Sequence, residues 1–498
     1  MKKLLYVLII ALATTSFTSC SDWLDVAPKT DVPAPELFET ENGFMSSLAG
    51  LYITMTNENT YGKNLSFGFI EQLVQMYDKL PDGTTDPNSI YIYDRETSGG
   101  FNTKSIIASI WLGQYHIIAN ANNLLKWLDL NGDAVITNND TRNMIRGEAL
   151  AIRAFLHFDL LRGWGPMNYA EDPNAKSMKC IPYRKVTDNS KQPLLEAEKI
   201  VSNIIEDLKA AKECLSFEKG ISLSSHSKSD RRFRFNYHAV NAVLARVYNY
   251  AGEQEKAREC ALDVIENCGL SLMNGNDEDP ILFDEVLCGL SLHEMSEYMS
   301  DYFSAGDKMN IRYYIKLTTM NLLFETQSSE SDDMRAKSTA FVKDDDKQMR
   351  LTKKYIENDN EVIPLIRLPE MYYIACESLD GDEAASYINE VRNKRGISVT
   401  KNETCDNKEA TIIALNKEYR KEFYAEGQYF WFLKTHGVIG ALEHNPSVTL
   451  VKERFIFPLP DNEKEYGWIE EEEEIDEEKE ESTDNGNEES AEDVSPEV

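Results

Sequence analysis

The segment that decides the fold runs from Gly147 to Pro166 and reads GEALAIRAFLHFDLLRGWGP. Its large apolar residues recur at three- and four-residue steps, which places them on one face of a helix. They are Ile152, Phe155, Leu156, Leu160 and Trp164, with the small residues Ala149, Ala151 and Ala154 between them. Glycines at 163 and 165 and a proline at 166 end the helix. The segment therefore predicts a buried helix of an all-α protein.

Two charged residues on this helix, Asp159 and Arg162, lie one turn apart on the side opposite the apolar face. Residues three apart are neighbours on a helix surface, so we expect a solvated ion pair there. Helical spacing continues on both sides of the segment. The further predicted helices are Glu36–Asn57, Ile70–Leu80, Ile106–Leu130, Glu196–Leu215, Tyr237–Tyr250, Glu253–Asn267, Asp382–Arg395 and Ile412–Gly437.

The charge of the chain is strongly acidic, with 85 acidic and 52 basic residues and a formal net charge of −33. This balance argues against nucleic acid as a partner, because phosphates are bound through Lys and Arg. It also argues against electrostatic attraction to an anionic membrane face. Sixteen of the acidic residues and a single lysine lie between Ile469 and Val498. That stretch has almost no apolar residues to bury, which predicts a disordered tail over residues 469–498.

The first nineteen residues have the pattern of a signal peptide. Lys2 and Lys3 precede an apolar run from Leu4 to Ala13, which is too short for a membrane-spanning helix. Cys20 follows, and a cysteine at the cleavage point of a bacterial signal resembles a lipobox, although Phe17 stands where leucine is usual. We therefore expect a lipoprotein signal peptide at 1–19, lipidation of Cys20 and a helical domain over 20–468.

Several motifs, in one order, carry a resemblance to a known family. The central helix contains Gly-Glu-Ala, Arg-Ala-Phe and Phe-Asp-Leu-Leu-Arg with glycines at its end, and Trp-Leu-Asp-Val follows Cys20. Further on come an Arg-Leu-x-Glu motif from Arg367, an Ile-Asn-x-Val-Arg-Asn-Lys-Arg-Gly run ending at Gly396, and a closing Pro-Leu-Pro-Asp-Asn-Glu. Together they resemble the SusD/RagB family of surface nutrient-binding lipoproteins of the Bacteroidetes outer membrane. Tyr429 and Phe432 depart from the Arg and Asp of the family motif.

The resemblance implies a fold, a location and a partner. The fold would be all-α and SusD-like, with tetratricopeptide-like helical hairpins and long irregular ligand-binding loops. The protein would be lipid-anchored at the cell surface, capture a glycan or other nutrient, and pass it to a SusC-like TonB-dependent outer-membrane transporter. It would not be an enzyme. Two alternatives stay open from the sequence: a peptide-binding subunit of a similar importer, and a surface enzyme that cleaves glycans with paired carboxylates.

Two irregular stretches rich in aromatic residues are the candidate ligand surface. Exposed aromatic rings stack on the apolar faces of sugars, and loops on a rigid scaffold often carry binding residues. The candidates are Tyr77, Tyr91, Tyr93 and Phe101 in the first stretch, and Tyr298, Tyr302 and Tyr313 in the second. For each of them ordinary packing in the core is the alternative.

A possible calcium loop lies between the helix ending near Leu130 and the central helix. Its oxygen-bearing residues stand at positions 1, 3, 5 and 12 of an EF-hand-like pattern; they are Asp129, Asn131, Asp133 and Asp140. Ala134 occupies the position that requires glycine, so a polar connection between helices is the alternative. The sequence predicts no other cofactor, because its seven histidines never fall at metal-ligand spacing and no phosphate-binding or nucleophile motif occurs.

Overall fold

The computed structural model describes residues 33–78, 103–188, 190–224, 231–274, 279–303, 313–326, 333–344 and 348–466. It is 57% helix and 9% strand, so the prediction of an all-α fold is confirmed. The predicted signal peptide, Cys20 and the acidic tail lie outside the described residues. None of the described helices combines the length and the apolar character that a membrane span requires.

Helices follow one another along the whole of the described chain, and we number them in chain order. They are α1 (Ala34–Leu37), α2 (Glu41–Met55), α3 (Phe69–Leu73), α4 (Thr103–Trp127), α5 (Asp133–Val135), α6 (Asn139–Trp164), α7 (Ala197–Cys214), α8 (Tyr237–Ala251), α9 (Gln254–Asn267), α10 (Met295–Phe303), α11 (Leu317–Leu323), α12 (Leu368–Cys376), α13 (Gly381–Lys394), α14 (Lys408–Glu422), α15 (Gln428–Thr435) and α16 (Asp461–Tyr466).

Short antiparallel strands lie between these helices in the chain. They are β1 (Lys179–Ile181), β2 (Leu195–Glu196), β3 (Val286–Ser291), β4 (Ile315–Lys316), β5 (Phe341–Asp344), β6 (Met349–Thr352), β7 (Val362–Arg367), β8 (Gly440–Leu442) and β9 (Asn445–Leu450). Strand β1 pairs with β2, β3 with β7 and β8 with β9, while β4, β6 and β5 form a three-stranded sheet in that order. Strand β7 continues directly into α12, where Pro369 lies in the first turn and costs no helical hydrogen bond.

The central helix α6 begins eight residues before the quoted segment. The side chain of Asn138 accepts hydrogen bonds from the backbone amides of Asp140 and Thr141 and so caps its start. Helices α4 and α7 pack on it, and α2 adds a further contact. A Cβ at Gly147 would lie 2.8 Å from Cγ of Leu215, so this glycine lets the α7 end of the chain approach closely. Because neighbours cover it all round, α6 is buried on every face from residue 151 to 164.

The expectation of a solvated Asp159–Arg162 pair is wrong. The two side chains form an ion pair that is buried, at 2% and 4% exposure. Tyr61 donates a hydrogen bond of 2.6 Å to the other carboxylate oxygen of Asp159. The Arg162 guanidinium lies 4.6 Å from the ring centroid of Phe158 and 4.6 Å from that of Trp431. The pair is covered because residues distant in sequence pack over the polar side of α6.

Successive helices pack against each other along the molecule and form a layer, which we call the helical layer. The pairs in contact are α4 with α6, α6 with α7, α7 with α8, α8 with α9, α9 with α12, α12 with α13 and α13 with α14. Gly252, with φ at +77°, makes the tight connection between α8 and α9. This is the arrangement of helical hairpins expected from the sequence.

Several predicted helices are shorter than expected or divided. The helix expected over Glu36–Asn57 divides into α1 and α2. The helix expected over Ile70–Leu80 ends at Leu73, and the helix expected over Ile412–Gly437 divides into α14 and α15. The carboxyl group of Glu71, on α3, accepts hydrogen bonds from the backbone amides of Ala425 (3.2 Å) and Gly427 (2.6 Å). Both of those residues have positive φ. The turn between α14 and α15 is thus held by a side chain from a segment about 350 residues earlier in the chain.

Candidate functional site

The two aromatic-rich stretches meet in the structure. The rings of Tyr77 and Tyr313 are 4.8 Å apart, those of Tyr302 and Tyr313 are 5.8 Å apart, and those of Tyr298 and Tyr302 are 5.6 Å apart. We call these four residues the tyrosine cluster. It lies where the described chain stops at residues 78 and 303 and resumes at 313. Tyr91, Tyr93 and Phe101 lie outside the described residues.

Three members of the tyrosine cluster do not present a ring to solvent. Tyr77, Tyr302 and Tyr313 are 1%, 5% and 4% exposed, so their rings pack into the core instead of forming a stacking surface. Burial raises the pKa of Tyr77 well above its ordinary value, which keeps the phenol neutral. Tyr298 is the partly exposed member. Of the described candidates, it is therefore the one that can reach a ligand in this structure.

The edge of the cluster at Tyr298 is polar. Tyr302 donates a hydrogen bond of 2.9 Å to Glu58, and the Tyr298 hydroxyl lies 3.4 Å from the carbonyl oxygen of Gly62. The ammonium group of Lys63 lies 5.2 Å from the Tyr302 ring centroid and 3.1 Å from Glu58. An aromatic ring beside a carboxylate and an ammonium group is the combination that sugar hydroxyls and ring faces can use.

Hydrogen bonds and ring contacts with neighbouring residues hold the tyrosine cluster in place. Tyr77 donates a hydrogen bond of 2.7 Å to the carbonyl oxygen of Phe67, whose ring contacts those of Tyr302 and Tyr313. Next to Tyr77, the carboxylate of Asp78 accepts hydrogen bonds from the backbone amide of Lys316 (2.6 Å) and the Thr319 hydroxyl (3.0 Å). The segment before residue 79 is therefore fixed to β4 and α11 on both sides of the cluster.

A buried ionic cluster joins β7, α13 and α14. The Arg395 guanidinium lies 2.7 Å from Glu285 and 2.8 Å from Glu422, and Arg367 lies 2.8 Å from Glu422 and 2.8 Å from Glu426. Burial alone would raise the pKa of Glu422, but the two guanidinium groups lower it well below its ordinary value. These carboxylates are at most 3% exposed and are held by arginines.

The structure does not bring the candidate calcium ligands together. Asp129 lies on a single π-helical turn (Leu128–Gly132) and accepts a hydrogen bond of 2.7 Å from Arg146, while Asp133 lies 3.0 Å from Arg142. Asn131 donates to the carbonyl oxygen of Phe38, and Asp140 lies in the first turn of α6. Within the described residues, no three His, Cys, Asp or Glu side chains are grouped as metal ligands.

His157, on α6, illustrates how buried polar groups of this protein are satisfied. Its Nδ1 atom lies 2.8 Å from the carbonyl oxygen of Arg153, and the backbone amide of Arg184 donates a hydrogen bond of 3.0 Å to its Nε2 atom. Burial lowers the pKa of His157 to about 3, so the ring is neutral. The ring is a packed, hydrogen-bonded part of the core.

The sequence interpretation missed a cleft on the helical layer. Its lining includes Asn249, Gln254, Glu377, Ile413 and His436, and its volume is about 500 Å³. These residues come from the ends of five separate elements, and no motif or spacing in the sequence joins them. A buried glutamate at the end of an otherwise apolar helix, Glu377 after α12, was the one signal available.

Two family models cover most of the chain. One, described as "Starch-binding associating with outer membrane" (SusD-like), matches residues 22–249, and the SusD family model (SusD_RagB) matches residues 296–497. The chain belongs to the SusD/RagB family. This agrees with the resemblance carried by the sequence motifs.

Particular relatives come from Bacteroides. A SusD-like protein of Bacteroides ovatus is 26% identical over 288 residues, which is 55% of this chain and 46% of that protein. The match thus spans about half the length of this curated relative. A crystal structure of a SusD superfamily protein from Bacteroides thetaiotaomicron has a TM-score of 0.67, with 22% identity over 86% of this chain and 98% of that one. A putative sugar binding protein from Bacteroides vulgatus has a TM-score of 0.66, with 22% identity over 86% and 97% of the two chains. These likenesses establish the fold.

Proposed function

We propose that this protein is a surface lipoprotein that captures a carbohydrate and passes it to a partner TonB-dependent transporter of the outer membrane. The observation that carries the proposal is the convergence of the tyrosine cluster, from two distant stretches of sequence, on a SusD/RagB fold. Two structural neighbours from Bacteroides vulgatus are described as a putative sugar binding protein and a SusD-like carbohydrate binding protein.

Binding without cleavage is the chemistry that the described residues support. Members of this family are binding proteins rather than enzymes. A glycosidase needs two carboxyl groups that flank the scissile bond. The neighbouring carboxylates of Glu285 and Glu422 share the guanidinium of Arg395 and are fully buried. Both are held by arginines and support the helical layer.

The ligand surface that we propose starts at Tyr298 and extends to the loop aromatics Tyr91, Tyr93 and Phe101. Tyr298 supplies a ring face, and Glu58 and Lys63 beside it supply an acceptor and a donor for hydroxyl groups. The ring of the buried Tyr302 packs 5.6 Å from that of Tyr298 and holds it in place. Pre-ordered aromatic rings bind sugars well because little side-chain entropy is lost on binding.

The membrane attachment that we propose is through lipid on Cys20, after removal of residues 1–19. Several acyl chains on one cysteine anchor a protein firmly, since each buried CH₂ contributes roughly 0.8 kcal/mol. The face of the helical layer is the proposed contact with the transporter. The tail over residues 469–498 is proposed to be a disordered extension that neither binding nor assembly requires.

A combined binding and turnover experiment tests the proposal. The purified protein is screened against a panel of oligosaccharides and a panel of peptides, and the saccharides are recovered afterwards. We expect affinity for at least one saccharide class and recovery of that saccharide intact. Affinity for peptides alone would indicate that the cargo is a peptide. Recovery of shortened saccharides would indicate that the protein is an enzyme. Co-purification of a TonB-dependent transporter from membranes tests the partner separately.

A further inference from the structure

The cleft missed by the sequence interpretation, which we call the Glu377 cleft, has the size of a small-molecule site. Its volume of about 500 Å³ lies within the range of roughly 300–1,000 Å³ that ligand pockets occupy. It is lined by the segment 168–171 after α6, the end of α8, the start of α9, the residue after α12, the first turns of α14 and the end of α15. None of its lining residues belongs to the tyrosine cluster.

A second cavity of about 30 Å³ adjoins the floor of the Glu377 cleft. The two cavities share the lining residues Asn249, Glu377, Thr435 and His436. A volume of this kind admits a group the size of a water molecule or slightly more, and nothing as large as a sugar ring. A ligand in the cleft can therefore extend only a small group to the floor.

The floor holds hydrogen-bond acceptors that the described residues do not satisfy. Glu377 is 3% exposed, and neither of its carboxylate oxygens accepts a hydrogen bond from a described residue. The His436 ring lies beside it, with Nε2 3.3 Å from one oxygen. The hydroxyl of Tyr250 and the Oε1 atom of Gln254 also lack a described partner. A buried carboxylate without hydrogen bonds is costly and is stabilised by any donor that reaches it.

The other charges that face the floor neutralise each other. Arg246 lies 2.5 Å from Glu370, and Arg162 is paired with Asp159. At the rim, Lys408 lies 3.5 Å from Glu171, and Glu409 adds a further carboxylate to the lining. With His436 in its neutral form, the charge that remains in the cleft is negative and lies at Glu377 and Glu409. Such a site attracts a cation.

We propose that the Glu377 cleft binds a ligand with a primary ammonium group, which reaches Glu377 through the narrow floor. An ammonium group carries three donors and no acceptor, which matches the unsatisfied oxygens of Glu377 and Gln254. It is compact, whereas a guanidinium group is wider and planar. The body of the ligand lies in the outer cleft against Ile412 and the half-exposed Ile413. An amino sugar and a short peptide both offer this chemistry.

Calorimetry with paired probes tests the inference on the full-length protein. The first pair is the β-1,4-linked disaccharide of glucosamine and its N,N′-diacetylated form. The second pair is a lysine-containing dipeptide amide and its fully acetylated form. We expect at least one ammonium probe to bind with a dissociation constant of about 1 mM or lower, and its acetylated form to bind at least tenfold more weakly. Which pair responds identifies the source of the ammonium group.

Two variants locate the binding to the cleft. Glu377→Gln keeps the shape of the side chain and removes its charge, and we expect it to weaken binding at least tenfold. Ile413→Trp fills the outer cleft from an exposed position without touching the carboxylate, and we expect the same loss. Glu383→Gln, an exposed glutamate on α13, is the matched control and keeps full affinity. Melting temperatures show that each variant is folded.

Several outcomes would overturn the inference. They are the absence of heat with both ammonium probes, equal affinity for a probe and its acetylated form, and unchanged affinity in both Glu377→Gln and Ile413→Trp. The inference is independent of the proposed carbohydrate capture. Loss of saccharide binding in a Tyr298 variant that still binds the ammonium probe would separate the two sites.

Discussion

The rings of Tyr77 and Tyr313 pack 4.8 Å apart and join two parts of the chain that the sequence separates by more than two hundred residues. Tyr77 is the first candidate of the first aromatic-rich stretch, and Tyr313 is the last candidate of the second. Their contact brings the two stretches together at the tyrosine cluster. This geometry is why the loop aromatics are proposed to form a single ligand surface.

Replacing Tyr298 separates a role in binding from a role in packing. We expect Tyr298→Ala to weaken carbohydrate binding about tenfold, because stacking of a ring on a sugar contributes on the order of 1–1.5 kcal/mol. Its free energy of unfolding changes little, since the side chain is partly exposed. Calorimetry and urea denaturation measure the two quantities.

The matched variants for this prediction are Tyr302→Ala and Tyr387→Ala. Tyr302 is buried, so its truncation is expected to cost about 3–5 kcal/mol of stability. Tyr387 is a partly buried tyrosine on α13, outside the cluster, and its loss leaves carbohydrate affinity unchanged. If Tyr298→Ala bound carbohydrate as the wild type does, the cluster edge would not be the ligand surface.

Arg395 is expected to be among the side chains whose loss costs most stability. Arg395→Met removes one of the two guanidinium groups beside the buried carboxylates of Glu285 and Glu422, and breaking such a pair costs about 3–5 kcal/mol. The double variant Arg395→Met/Glu285→Gln recovers part of this loss, because one of the stranded charges is gone. Urea denaturation measures the free energy of unfolding of each variant.

An exposed ion pair provides the control for Arg395. Arg258 lies 3.1 Å from Glu383, and the Glu383 side chain is 64% exposed. Exposed pairs contribute at most about 1 kcal/mol, so Arg258→Met is nearly neutral. Equal effects of Arg395→Met and Arg258→Met would contradict a structural role for the buried ionic cluster.

The stability of the protein is expected to depend on pH through Glu71. Burial raises the pKa of Glu71 to about 8, and the hydrogen bonds from Gly427 and Ala425 and the charge of Lys354 lower it only in part. The folded protein thus binds this proton more tightly than the unfolded chain, so its contribution to stability is lost as the pH rises from about 5 to 8. Between pH 5.5 and 8 the loss is on the order of 3 kcal/mol.

Glu71→Gln tests this pH dependence, because glutamine mimics the neutral carboxyl group. We expect the free energy of unfolding of this variant to fall less than that of the wild type between pH 5.5 and 8. The exposed residue Glu36 provides the control, and Glu36→Gln keeps the wild-type slope. Parallel curves for the wild type and Glu71→Gln would show that Glu71 is already ionised at pH 5.5.

Gly147 sets the distance between α6 and the end of α7. A Cβ there would lie 2.8 Å from Cγ of Leu215 and 3.1 Å from the carbonyl oxygen of Ala211. Gly147→Ala is therefore expected to lower the free energy of unfolding by about 1–3 kcal/mol. Gly50, within α2, has no atom within 4 Å of such a Cβ, so Gly50→Ala raises it by about 0.5–1 kcal/mol. The free energy of unfolding is measured by thermal or urea denaturation. An increase in both variants would contradict the close approach of α6 and α7.

The sequence predicted the helical body well because periodicity reports burial directly. The apolar face of the Gly147–Pro166 segment lies in the core, and its end at Trp164 matches the glycine and proline signals. The same segment misled at Asp159 and Arg162, since nothing near them in sequence shows that Tyr61 and Trp431 cover them. Charged side chains are expected to be exposed, but Asp159 and Arg162 are buried because they form an ion pair with each other.

Sites formed by distant segments of the chain could not be predicted from the sequence. The turn between α14 and α15 depends on Glu71, which lies on α3. The Glu377 cleft draws its lining from five helices or their ends and from the segment 168–171, and no local pattern links them. The aromatic candidates included Tyr298, at the cluster edge, but the sequence could not separate it from the buried rings of Tyr77, Tyr302 and Tyr313.

The most direct test of the central claim is calorimetric titration of the purified protein with oligosaccharides, followed by chromatography of the recovered sugar. We predict saturable binding of one saccharide class, lost in Tyr298→Ala, with the sugar returned at its original length. Absence of binding to every saccharide, or recovery of shortened sugars, would contradict the account.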